Sequence, residues 1–141
     1  MVCGPTASGK SDLSDSLADG VTQTYGLYAP TLVVDSMQVY KELPVITNQA
    51  RRRPAELVGI VPVTEEWTVA RHRDRAEEII EATEMPFVLD AGTGMYLNAI
   101  ILDVPLAPKV SQEIRTQAAE ITVGAQNPRR AARAKELKLT G

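Results

Sequence analysis

Residues 4–11 decide how this chain folds, and they read Gly4-Pro5-Thr6-Ala7-Ser8-Gly9-Lys10-Ser11. This run matches the pattern G-x-x-x-x-G-K-[ST], whose glycines let the backbone curl until successive N–H groups point at phosphate oxygens. It stands between a short apolar segment, residues 1–3, and a segment that carries Leu13 and Leu17 at helical spacing. A strand, a glycine-rich loop and a helix in this order are the context that the pattern requires. We therefore predict a phosphate-binding loop at the start of the first helix.

Strand-like and helix-like segments alternate along the rest of the chain. Short apolar runs predict strands at residues 1–3, 31–34, 57–61 and 86–89. Amphipathic segments predict helices at residues 11–18, ended by Gly20, at residues 68–83, capped by Thr68, and at residues 95–102. The alternation predicts an α/β fold, a P-loop NTPase-like three-layer domain with a parallel sheet. Residues 31–34 and 87–89 are expected to be parallel neighbours of the first strand.

Length, composition and charge fit one globular domain. The chain has 141 residues, of which 44% are hydrophobic and 23% charged, so we expect a single domain over residues 1–141 with a basic helical C-terminal segment from about residue 111. The net charge of -3 excludes a basic field over the whole chain, so RNA would have to bind local patches. A single cysteine, Cys3, and the lack of a long apolar run in the sequence favour a cytoplasmic location without membrane attachment.

Several conspicuous side chains have plain structural explanations. The cluster Arg51, Arg52 and Arg53 is expected to be a solvated loop, His72 to be an exposed side chain in mid-helix, and Trp67 to be a packing anchor. The first strand is short for the centre of a parallel sheet. Either the chain begins late or that strand is truncated.

The phosphate loop alone leaves the reaction open, because hydrolysis, phosphoryl transfer and displacement of diphosphate all use the same cradle. Lys10 would supply charge to the terminal phosphates, and the Ser11 hydroxyl can bind Mg²⁺. Asp35 and Asp90 each follow an apolar run, and in an ATPase either could be a Mg²⁺ ligand.

Two further segments complete a pattern with residues 4–11. They read Asp35-Ser36-Met37-Gln38-Val39-Tyr40 and Ala91-Gly92-Thr93-Gly94-Met95-Tyr96-Leu97. Together the three segments resemble, in order and spacing, the signature motifs of the tRNA dimethylallyltransferases. That family transfers a dimethylallyl group from dimethylallyl diphosphate to the exocyclic amine N6 of the adenosine just 3′ of the anticodon, and it releases pyrophosphate.

The resemblance implies a catalytic role for three residues. Asp35 corresponds to the family's general base, Thr93 to a hydroxyl near the bridging oxygen of the diphosphate, and Arg133 to the arginine that clamps the diphosphate. Gln38 corresponds to a residue near the target base, and Arg130 is the next candidate for the clamp.

The resemblance also implies a binding role for the phosphate loop. Dimethylallyl diphosphate would bind there with Mg²⁺ as the cofactor on Ser11, and Thr6 and Ser8 would also contact the substrate. The residues implied in diphosphate binding are Gly4, Thr6, Ala7, Ser8, Gly9, Lys10 and Ser11.

The sequence also departs from the family. Family members are usually much longer and carry a helical insertion that grips the anticodon stem-loop, which has no counterpart here, and Ala91 replaces the usual first glycine of the third motif. If the chain is complete as given, we expect tRNA binding to be weak or absent. A small P-loop ATPase or kinase, a non-catalytic diphosphate-binding remnant, and prenyl transfer to free AMP remain alternatives, and the oligomeric state stays open.

Overall fold

The chain divides into two compact units, Met1–Val104 and Pro105–Gly141, in a computed structural model that describes residues 1–5, 7–47, 49–92, 94–121 and 127–140. The elements of the first unit are β1 (Val2–Cys3), α1 (Lys10–Tyr25), β2 (Thr31–Val34), α2 (Val69–Glu81), β3 (Val88–Ala91) and α3 (Gly94–Ile101). Those of the second are α4 (Gln112–Ile121) and α5 (Pro128–Thr140). None of the helices in the described ranges has the length and apolar character needed to cross a membrane. The single domain over residues 1–141 stays a prediction.

The sheet has three parallel strands in the order β1-β3-β2. Cys3 and Val34 both pair with Ala91, so β3 lies between the other two strands. The strand predicted at residues 86–89 begins two residues later and is a neighbour of β1, as expected. The expectation that residues 31–34 also neighbour the first strand is wrong, because β3 separates them.

Helices cover both faces of this sheet. On one face, Val88 packs with Ala18 of α1. On the other face, Leu89 packs against a cluster that includes Leu32 and Ala76 of α2. Since successive residues of a strand point to opposite faces, the sheet lies between α1 and α2. The predicted three-layer α/β fold is confirmed.

Helix α1 is longer than predicted. Gly20 was expected to end it, but the helix continues to Tyr25 and ends at Gly26, whose φ of 70° is left-handed and whose N–H donates to the carbonyl of Thr22. A glycine inside a helix costs only about 0.5–1 kcal/mol relative to alanine. Ala18, two residues earlier, is fully buried, and packing of this kind can offset that cost, so a glycine alone does not stop this helix.

The segment at residues 57–61 is not the strand that its apolar residues predicted. Leu57 and Gly59 have φ values of 65° and 58°, in the left-handed region, which regular strands do not use. Leu57 and Val61 are nevertheless buried, so their apolar character reflects the core rather than a strand. In the described part of the chain, the segment takes part in one isolated parallel bridge, Tyr40 with Val61, and Glu56 just before it forms another with Leu32.

Helix α2 begins where it was predicted, with the Thr68 side chain accepting the N–H of Arg71. Trp67 is buried as expected, but the expectation that His72 is exposed is wrong, because the ring is fully buried. Trp67 Nε1 donates to His72 Nδ1 at 3.0 Å, so His72 Nε2 carries the ring proton and donates to the carbonyl of Val33 at 3.0 Å. Burial lowers the pKa of His72 below its usual value.

Lowering the pH should destabilise the first unit through His72. The pKa of this ring is lower in the folded chain than the ~6.5 of an unfolded one, so below that value the unfolded state binds more protons. The free energy of unfolding is therefore expected to fall as the pH drops through about 6.5, and to be fully present above it. His72→Gln keeps a donor for Val33 and does not titrate, so its unfolding free energy should depend less steeply on pH. Urea denaturation of both proteins between about pH 5 and pH 7.5 measures this, and identical slopes would contradict it.

Candidate functional site

Three segments named by the sequence motifs leave the sheet at one edge. Gly4, Asp35 and Gly92 each follow the last residue of a strand, and the carboxyl ends of parallel strands meet at the same edge. The Gly92 N–H donates to the carbonyl of Val34 at 3.1 Å, which extends the pairing of β2 and β3 by one residue. The strand register therefore brings the phosphate loop and the other two motifs together.

The phosphate loop curls tightly before α1 begins at Lys10. Ala7 and Gly9 are left-handed, with φ values of 61° and 79°, and the Ser8 hydroxyl donates to the carbonyl of Pro5 at 2.7 Å. The first N–H groups of a helix have no carbonyl partner within it, so the start of α1 can receive an anion. This geometry fits the predicted loop, whose Thr6 lies outside the described residues.

A side chain at Gly92 would crowd the carboxylate of Asp35. A Cβ atom there would lie 2.8 Å from Asp35 Oδ2 and 3.8 Å from Lys10 Nζ, and the first distance is short enough that the Asp35 side chain would have to shift. The carboxylate of Asp35 and the ammonium of Lys10 therefore both lie beside Gly92, at the edge of the sheet. Thr93, the next residue and a predicted catalytic group, lies outside the described residues.

Three N–H groups orient the Asp35 carboxylate. Its Oδ1 accepts from the backbone N–H of Met37 at 2.8 Å and of Gln38 at 3.3 Å, and its Oδ2 accepts from Gln38 Nε2 at 3.4 Å. Oδ1 is thus held by the backbone, whereas Oδ2 faces Gly92 with one long hydrogen bond. Gln38 is buried, and its Oε1 accepts no hydrogen bond within the described part of the chain. Oδ2 is therefore the less tightly held oxygen of Asp35.

Lys10 is bonded to a buried carboxylate. Asp90 is fully buried, with Oδ1 2.5 Å from Lys10 Nζ and Oδ2 2.7 Å from Arg51 Nη1. Arg51 Nη2 also pairs with Asp15 Oδ1 at 2.9 Å. We call these four side chains the buried ion network. It contains two positive and two negative groups, and it joins α1, β3 and the loop that carries Arg51.

Arg51 and Arg53 are not in a solvated loop, so that prediction was wrong for both. The Arg51 side chain is 3% exposed, and Arg53 donates to the carbonyl of Ala29 at 3.2 Å and lies over the ring of Tyr28. Arg52 is the exposed member of the three, paired with Asp19 on the surface. A run of charges is usually solvated, and its burial here depends on carboxylates distant in sequence. The available signal was Asp90, a carboxylate that directly follows two apolar residues of a buried strand.

Ser11 is the residue at this edge of the sheet whose hydroxyl would suit a magnesium ion held mainly by phosphate oxygens. Ser11 lies in the first turn of α1, next to Lys10, and is half-buried. Both oxygens of Asp90 already contact cations, so Asp90 is a poor metal ligand. Among the described residues, no three His, Cys, Asp or Glu side chains are grouped so as to hold a metal. Mg²⁺ commonly takes one or two protein oxygens together with substrate phosphates, and the Ser11 hydroxyl fits that pattern.

The two arginines predicted to clamp the diphosphate lie on α5 in the second unit. The Arg130 N–H donates to Asn127 Oδ1 at 3.2 Å, which caps the start of this helix. Arg133 pairs with Glu136 one turn later, at 2.7 Å. Their contact with a diphosphate stays a prediction.

Comparisons with known proteins agree with the motifs. Residues 38–139 match the model of the IPP transferase family. The chain is 64% identical, over 99% of its length, to the tRNA dimethylallyltransferase of Rubrobacter xylanophilus, and 35% identical, over 83% of its length, to that of Rickettsia bellii. It covers 48% and 38% of those two relatives, so it spans about half of their length or less.

A solved structure shares the fold of this chain. It is the full-length tRNA isopentenylpyrophosphate transferase from Bacillus halodurans, with a TM-score of 0.66 and 27% identity. The match covers 99% of this chain and 55% of that one.

Removing Arg51 should destabilise the first unit far more than removing Arg52. Arg51→Met leaves Asp15 without a cation and Asp90 with Lys10 alone, and breaking a buried ion pair from one side costs about 3–5 kcal/mol. Arg52→Met removes the same charge from an exposed pair and should change the free energy of unfolding little. Urea denaturation of the two variants measures the difference, and equal losses would show that the buried ion network is not specifically stabilising.

Proposed function

Because the chain belongs to the IPP transferase family, we propose that it carries the diphosphate-binding part of a tRNA dimethylallyltransferase. The reaction transfers a dimethylallyl group from dimethylallyl diphosphate to N6 of the adenosine next to the tRNA anticodon. The relatives from Rubrobacter xylanophilus and Rickettsia bellii bear that activity in their names. The observation that carries the proposal is that Lys10 Nζ and Asp35 Oδ2 border one point beside Gly92. Prenyl transfer to an amine needs both a cation for the leaving diphosphate and a base for the amine.

The diphosphate departs towards the phosphate loop. As the bond between the allyl carbon and the bridging oxygen breaks, the oxygen keeps the electron pair and negative charge grows on the diphosphate. The N–H groups at the start of α1, which are fixed before the reaction begins, and Lys10, once it faces the diphosphate, stabilise that charge. Mg²⁺ held through the Ser11 hydroxyl would add positive charge against the same oxygens.

Asp35 takes the proton that the amine loses. The lone pair of N6 is delocalised into the adenine ring, so the amine attacks well only if a base removes its proton as the new carbon–nitrogen bond forms. Asp35 Oδ2 faces the point beside Gly92, where the reacting groups would meet. Gln38 holds that carboxylate through its Nε2, and its buried Oε1 is an acceptor for a donor on the target base.

The remaining site residues complete this proposal on the strength of the family resemblance. Thr93 would stabilise the bridging oxygen, Arg133 and then Arg130 would clamp the diphosphate, and Thr6 and Ser8 would contact it from the loop. With tRNA as the acceptor and dimethylallyl diphosphate as the donor, the proposed location is the cytoplasm.

The transfer itself can be tested with the chain as it stands. It is incubated with dimethylallyl diphosphate labelled in the allyl group, together with tRNA, and in parallel with AMP and with ATP. We expect label in the tRNA. Three other outcomes would contradict dimethylallyl transfer to tRNA by this chain. Labelled AMP would indicate a free-nucleotide acceptor, phosphate released from ATP would indicate an ATPase or kinase, and diphosphate binding without product would indicate a non-catalytic remnant.

Two variants should separate diphosphate binding from proton removal. Lys10→Met removes a charged contact and should weaken dimethylallyl diphosphate binding by about 1.5–3 kcal/mol. Asp35→Asn should leave that affinity nearly unchanged and abolish transfer, because the base acts on the acceptor and not on the leaving group. Calorimetry and the labelled transfer assay measure the two effects, with Arg52→Met as the surface control. Wild-type affinity in Lys10→Met would rule out the phosphate-loop assignment.

A further inference from the structure

Asp90 binds two cations at once, and one of them is the lysine of the phosphate loop. Its carboxylate is fully buried and contacts Lys10 Nζ through one oxygen and Arg51 Nη1 through the other. In this arrangement the Lys10 ammonium is bonded to the protein, whereas diphosphate binding needs it to face the ligand. A diphosphate that draws Lys10 towards itself would therefore weaken the bond between Lys10 and Asp90.

Whether Lys10 can leave Asp90 for a ligand depends on whether Asp90 retains another cation. A buried carboxylate that loses its only cation is strongly unfavourable. Arg51 contacts the other oxygen, Oδ2, at 2.7 Å, so Asp90 would keep one cation when Lys10 turns to a ligand. Arg51 does not depend on Lys10 for its own position, because its Nη2 pairs with Asp15 and also contacts the carbonyl of Ser11 at 3.5 Å.

We propose that Arg51 is a positioning residue for diphosphate binding: by neutralising Asp90, it allows Lys10 to leave that carboxylate for the ligand. This inference rests on the part of the proposed function that puts a diphosphate at the phosphate loop. Arg51 acts through Asp90 and is assigned no contact with the ligand. The planar guanidinium suits this role because its fork can pair with Asp15 and Asp90 together, which a single ammonium does less well.

The test uses inorganic pyrophosphate as the probe and calorimetry on the whole chain. Arg51→Met should raise the Kd for pyrophosphate by about tenfold or more, since the binding step now strips a buried carboxylate of its last cation. Arg52→Met is the matched control, because it removes the same charge from the neighbouring position, where the side chain is exposed. Its Kd should stay within about twofold of the wild type.

A second series of variants, made in a chain that carries Asp90→Asn, isolates the role of Asp90. Asp90→Asn removes the charge that Arg51 neutralises, so adding Arg51→Met to it should weaken pyrophosphate binding far less than in the wild type. The double variant still leaves Asp15 unpaired, so its free energy of unfolding should stay below that of the wild type. Recovered affinity without recovered stability distinguishes a positioning role from a general structural one.

A milder variant covers the case in which Arg51→Met does not fold. Arg51→Lys keeps the positive charge but loses the fork, so its Kd should lie between those of the wild type and Arg51→Met, and Asp90→Asn should again reduce the effect. The lysine variant is compared with Arg52→Lys in the same assay.

The outcomes separate this inference from the proposed function. Pyrophosphate binding by the wild type with no effect of the Arg51 variants overturns the inference alone, and so does an equal loss in both backgrounds. No pyrophosphate binding by the wild type overturns the proposed function and the inference with it.

Discussion

The buried carboxylate of Asp90 is the group on which the arrangement of the first unit depends. It sits at the centre of the sheet, where β3 pairs with both other strands, and burial of such a group is tolerated only with bonded partners. Lys10 reaches it from the start of α1 and Arg51 from a distant loop. The requirement to satisfy one carboxylate thus fixes the helix that follows the phosphate loop and the path of an otherwise irregular segment.

The parts of the site that the sequence predicts are those encoded by local backbone chemistry. Residues 4–11 specify a turn and a helix start by themselves, and the positions of Asp35 and Gly92 follow from apolar runs that end at the same sheet edge. The Thr68 cap of α2 is local in the same sense. Ala91, which replaces the usual first glycine of its motif, is buried in the core. Ala91 therefore packs in the core and does not face a ligand. The glycine that the geometry requires is Gly92, which lies against the carboxylate of Asp35.

The parts that the sequence does not predict depend on contacts between distant residues. Nothing near Arg51 indicates that its partners are Asp15 and Asp90, more than thirty positions away on each side. His72 has charged neighbours along the chain, and its burial follows from the positions of Trp67 and Val33 once the fold is formed. Residues 57–61 are apolar enough for a strand, but only the structure reveals the left-handed backbone at Leu57 that prevents one. Hydrophobic patterning reports burial more reliably than it reports backbone conformation.

The bridge between Leu32 and Glu56 protects one edge of the sheet from pairing with another copy of the protein. β2 is an edge strand, and an edge with free N–H and carbonyl groups can pair with a strand of another molecule. Here Glu56 accepts the N–H of Val33 at 3.1 Å and donates its own N–H to Thr31 at 2.8 Å. One residue of a loop thereby occupies the outer side of an entirely buried strand. Glu56 thereby blocks the addition of another strand at this position of β2.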